Sequence, residues 1–147
     1  MNALKLKTYP PEYFNFVRKV DLRKDPRVSH LLGEKYSLSI GAKFRKSLNR
    51  YVELHHILPV FEGSVLETVN FVVLSPYHHL IAHLILAEKV GGKHWFAADA
   101  VAKGNGLVSD YRAKDRNYCN LVKAYKEKIK YGIRLYKPKG GLFIYDY

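Results

Sequence analysis

The longest periodic stretch of the chain runs from Ser109 to about Leu135. There Tyr111, Tyr118, Leu121, Val122, Tyr125 and Ile129 recur at three- and four-residue steps. Residues so spaced share one face of a helix, so the pattern predicts a long C-terminal helix with an apolar stripe. Arg112, Lys114, Arg116, Lys123, Lys126, Lys128 and Lys130 fill most other positions and make that helix basic. Such a face serves either as a solvated surface or as a contact for DNA, and the pattern alone does not choose.

Sharper boundaries lie upstream. Ser75-Pro76 marks a helix start, because serine caps free amides and proline is tolerated at the first helical position. This helix should run to Val90 and stop at Gly91-Gly92. A further helix is expected over His94–Lys103, ended by Gly104-Asn105-Gly106. Before them, Phe71-Val72-Val73-Leu74 is β-branched and aromatic, hence a strand. Tyr51-Val52-Glu53-Leu54 reads as a shorter strand running into His55. A turn-rich loop around Glu62-Gly63-Ser64 follows Pro59. Residues 1–14 show no clear period and carry Pro10-Pro11, which predicts an extended arm. A short helix is expected from Tyr13 to Val20, with Phe14, Val17 and Val20 on one side. Asp25-Pro26 marks a break, and the Gly- and Tyr-rich tail from Lys137 predicts no element. The order of strand, loop, strand and helix among further helices makes the fold class α+β.

Composition narrows the reading. The 147 residues suffice for one domain with a modest core, and 48% of them are hydrophobic. Stretches such as Phe71–Leu74 fall far short of a membrane span. Residues 1–11 hold no apolar core of secretory type, so a soluble intracellular protein with no membrane partner is expected. Cys119 is the only cysteine, which excludes an intrachain disulfide and a cysteine-based zinc finger.

The net charge of +12 is unevenly spread. Residues 1–50 carry 12 Lys/Arg against 4 Asp/Glu, and residues 91–147 carry 12 against 5. Between them, residues 51–90 carry only Lys89 against Glu53, Glu62, Glu67 and Glu88. The organisation expected is a single domain, 1–147, in three parts. These are a basic N-terminal arm (1–50), a core (51–90) and a helical basic C-terminal extension (91–147). Basic flanks suit a phosphate backbone, and an acidic, histidine-rich centre suits a cation.

Five of the seven histidines fall within the 29 residues from His55 to His83. His79 and His83 are four apart on the predicted helix, about 40° apart around its axis, a spacing at which two imidazoles chelate one metal. His78 lies about 100° from His79 and forms no such pair with His83. His55 and His56 end a strand, where successive side chains face opposite ways. One of the two can therefore bind metal while the other faces substrate and takes a proton from water. An amide oxygen such as that of Asn70 would orient the free imidazole. The combination of base, water and Lewis acid reads as hydrolysis. His30 and His94 read as ordinary surface or half-buried residues.

The segment from Glu53 to His83 resembles the HNH (ββα-metal) nucleases, in which a strand, a long loop, a strand and a helix close on one cation. The resemblance covers roughly Tyr51 to Val90. Its spacing is most similar to the three-histidine subgroup of nuclease toxins. Chain size and basic arms are more similar to small free-standing phage HNH endonucleases. It implies a ββα-metal core with His56 as general base, Asn70 as its orienter, and His55, His79 and His83 as ligands. Glu53 would be a carboxylate supporting the ligands from behind. Phage homing members often use aspartate and asparagine ligands, and many members carry flanking cysteine pairs; this chain has neither. One divalent ion is implied (Zn, Mn, Ni or Mg), and imidazole ligands favour the first three over magnesium.

The activity implied is hydrolysis of phosphodiester bonds in double-stranded DNA, leaving 5′-phosphate and 3′-hydroxyl ends. The enzyme would act as a nicking or homing endonuclease, monomer or homodimer, in the cytoplasm of a bacterium or phage-infected host cell. Candidates for DNA contact are Lys43, Arg45, Lys46 and Arg50 in the basic run before the strand. Lys123, Lys126 and Lys130 on the C-terminal helix join them. Two other functions compete: a nucleic-acid-binding protein with a purely structural zinc, and a hydrolase of RNA or small phosphoesters.

Overall fold

The computed structural model describes residues 8–24, 53–63, 70–103, 110–113 and 115–130. It is a mixed α+β structure, mostly helical, with one two-stranded sheet among the described residues. The backbone groups into two compact units, 1–76 and 77–147. Among the described residues no helix is long and apolar enough to cross a membrane.

In the first unit, helix α1 spans Pro11–Val20. It begins where an extended arm was expected, because Pro11 occupies the first helical position, where its missing amide costs no hydrogen bond. The buried face is Tyr13, Phe16 and Val17, whereas Phe14 and Val20 are half-buried. Strands β1 (Glu53–His56) and β2 (Phe71–Leu74) pair antiparallel, with His55 opposite Val72 and His56 opposite Phe71. Residues 51 and 52 of the expected first strand lie outside the described residues. α1 packs against β2, and Tyr13, Phe16 and Val17 of the helix and Val72, Val73 and Leu74 of the strand are all buried.

Asp21, just past α1, fastens this unit from the other direction. Its Oδ1 accepts the Val73 amide of β2 at 3.1 Å. The Arg23 guanidinium donates back to Asp21 Oδ2 through Nε at 3.0 Å and pairs with it through Nη2 at 2.9 Å. One carboxylate thus links the end of α1 to the sheet, and charge-assisted bonds of this kind are the stronger sort.

In the second unit, α2 spans Pro76–Lys89, α3 His94–Lys103, α4 Asp110–Ala113 and α5 Arg116–Lys130. α2 is apolar nearly all round, with Leu80, Ile81, Ala82 and Leu84–Ala87 buried, as a fully covered helix requires. It ends as its glycines predict. Gly91 adopts φ 80° and its amide returns to the Leu86 carbonyl at 3.2 Å. Leu80, Leu84 and Ala87 form one core with Ala98, Val101 and Ala102 of α3 and Tyr118, Val122 and Tyr125 of α5.

The stretch predicted as one long helix is divided at Asp115. Asp115 Oδ1 accepts the Tyr118 amide at 3.0 Å, the position of an N-cap, so a new helix starts there. Its Oδ2 accepts the Tyr77 amide in the first turn of α2 at 3.2 Å, so one side chain caps two helices. Arg112 is half-buried rather than one more solvated cation. It donates to the Val101 carbonyl at 2.9 Å, at the C-terminal end of α3 where a cation is favoured. The Tyr118 hydroxyl donates to the same carbonyl at 2.6 Å. Residues 131–135 of the expected helix, and the tail after them, lie outside the described residues.

Candidate metal centre

β1 sorts its side chains by alternation. Glu53 and His55 face one way and are buried, while Leu54 and His56 face the other and are half-buried. His55 has no solvent exposure. Its Nε2 lies 2.7 Å from the Tyr13 hydroxyl, which also donates to the Ile57 carbonyl at 2.8 Å. Burial, with a smaller contribution from Tyr9, pushes the Tyr13 phenol well above its ordinary pKa.

Asn70 is fully buried just before β2, and its side chain clasps the backbone that follows His56. Oδ1 accepts the Leu58 amide at 2.9 Å and Nδ2 donates to the Leu58 carbonyl at 3.1 Å. The Asn70 carbonyl accepts the Ile57 amide at 2.6 Å. These three bonds continue the strand pairing past His56 and hold the turn at 57–58. The amide thus braces the backbone beside His56.

On α2, His79 and His83 stack at i and i+4, with ring centroids 4.9 Å apart and planes tilted by 52°. Their Nε2 atoms are 3.2 Å apart. Two nitrogens bound tetrahedrally to zinc at 2.0–2.1 Å would lie about 3.3–3.4 Å apart, so the pair is already close to chelating distance. One nitrogen from each of His55, His79 and His83 lies within 4.8 Å of the other two. These three histidines lie close together and could bind a metal ion. Among the described residues no other side chain joins the group. Three imidazoles fit a borderline cation such as zinc and leave coordination positions to spare.

The remaining candidates fall outside this group. His78 is half-buried beside Tyr77, ring centroids 5.3 Å apart. His94 is buried at the start of α3, where the sequence suggests a surface or half-buried residue. Glu53 shares the buried face of β1 with His55, two residues away. Lys123 and Lys126 are exposed on α5, and Lys130 ends that helix. Lys43, Arg45, Lys46, Arg50 and His30 lie outside the described residues. Sequence reasoning missed Tyr13, whose apolar-face position on α1 and need for a hydroxyl partner were the available clue. The chain matches no family model, no curated protein and no solved structure.

Proposed function

We propose that the protein is a metal-dependent DNA endonuclease of the HNH type, with a ββα-metal core from β1 through α2. The observation that carries this reading is the convergence of His55, His79 and His83, with His56 on the opposite face of the same strand. A closed structural site has no use for a second imidazole facing away. The basic helix α5 belongs to the same proposal, with exposed Lys123 and Lys126 as phosphate contacts.

His55, His79 and His83 would hold the divalent ion, which when bound supplies Lewis-acid stabilisation of negative charge on the phosphate. The chain's own residues account for the rest. His56 accepts a proton from water as the water oxygen bonds to phosphorus, and the bond to the 3′ oxygen breaks. The 3′ oxygen takes a proton from solvent. Asn70 holds the Ile57–Leu58 turn, so the His56 backbone cannot swing out of register. Positively charged arms concentrate the polyanionic substrate.

The test is a nicking assay on supercoiled plasmid with Mg²⁺, Mn²⁺, Ni²⁺ or Zn²⁺, beside single-stranded DNA and RNA at matched salt. Ion-dependent nicking of the plasmid is the expected result. Preferential cleavage of RNA would move the substrate class, and no cleavage with any ion, together with tight zinc retention, would replace the enzyme by a structural-zinc binding protein.

A further inference from the structure

We infer that Tyr13 is a positioning residue of the metal site: it fixes the proton of His55 on Nε2 and leaves Nδ1 as the nitrogen that meets the ion. The Tyr13 hydroxyl lies 2.7 Å from His55 Nε2 and 2.8 Å from the Ile57 carbonyl oxygen. A phenol has one proton, and a carbonyl oxygen can only accept. The proton therefore goes to Ile57, and the phenol oxygen accepts from Nε2–H of His55. A neutral imidazole protonated at Nε2 carries its lone pair on Nδ1, the form a metal ligand needs.

The surroundings keep this arrangement in place. Tyr13 is fully buried on α1, edge-on to His55 with ring centroids 6.0 Å apart and planes at 76°. Ile57 is held in turn by its own amide bond to the Asn70 carbonyl. The chain of bonds thus runs from Asn70 through Ile57 and Tyr13 to His55, all on one side of the ring. Partners of this kind behind a ligating histidine set its tautomer and raise its basicity, and losing one typically weakens metal binding about 10–100-fold. His79 and His83, whose Nε2 atoms face each other, would present the opposite nitrogen. The site would then combine one Nδ1 and two Nε2 donors.

This inference rests on the metal-site reading, and the test separates the two. In full-length protein labelled with ¹⁵N-histidine and freed of metal, long-range proton–nitrogen correlation should show His55 protonated at Nε2 and bare at Nδ1. Added zinc should shift the Nδ1 resonance and leave the proton on Nε2. Calorimetric titration should then show zinc bound about 10–100-fold more weakly by Tyr13→Phe, with His55 in mixed tautomers. Phe16→Leu, on the same face of α1, should loosen the helix yet keep the wild-type tautomer and affinity. A wild type that binds no zinc overturns the metal site itself. A His55 protonated at Nδ1, or Tyr13→Phe with unchanged affinity, in a protein that does bind zinc overturns the role of Tyr13. An equal loss of affinity in Phe16→Leu reduces that role to packing and overturns it as well.

Discussion

Replacing Asn70 with Ala separates a scaffold role from a purely catalytic one. The side chain is fully buried and makes two bonds to Leu58, itself without solvent exposure. Removing it leaves the Leu58 amide and carbonyl buried without those partners, at about 1–3 kcal/mol for each group. The Ile57 amide bond to the Asn70 carbonyl survives, because it is backbone to backbone. Allowing for relaxation of the turn, the loss should be about 3 kcal/mol, in the lower half of the range two such groups define. For a chain of this length that lowers Tm by about 6–12 °C. Urea and thermal unfolding of the metal-free protein measure it, with no contribution from the ion. An amide that acted only on a half-buried His56 ring would cost little stability. A loss below about 1 kcal/mol in the metal-free protein would therefore refute the clasp at Leu58.

Other predictions follow from particular contacts. Leu84→Ala removes the centre of the second unit's core and should cost about 2–5 kcal/mol by denaturant unfolding. Asp115→Ala uncaps α5 and the first turn of α2 together, and should cost about 2 kcal/mol with a loss of helical circular dichroism. Gly91→Ala forces a side chain into left-handed backbone at φ 80° and should cost about 1–2 kcal/mol in the same unfolding experiment. Zinc at one hundred times its Kd should stabilise the wild type by about 2.7 kcal/mol, and His83→Ala should lose most of that gain.

The parts of this fold that could be read from sequence are those marked by local chemistry. Ser75-Pro76 and Gly91-Gly92 bracket α2 within a residue, and Phe71–Leu74 forms the strand its β-branched side chains predict. The i, i+4 pair of His79 and His83 follows from helical geometry alone, and the opposite faces of His55 and His56 follow from strand alternation. What escaped depends on residues far apart in the chain. Tyr13 meets His55 across 42 residues and Asp21 meets Val73 across 52, and no local pattern announces either. The division of the C-terminal stripe was within reach, since Asp115 is a good N-cap three residues before the buried Tyr118. There the continuous apolar period masks the cap. The start of α1 failed for the opposite reason: Pro11 ends helices in most positions but opens them at the first.

The central claim is that three histidines hold the ion while His56 remains available as the base. Its most direct test measures zinc affinity and plasmid nicking on the same preparations of wild type and His56→Ala. His56→Ala should bind zinc with unchanged affinity and cleave no plasmid. Cleavage at the wild-type rate, or a lost metal site in that variant, would contradict it.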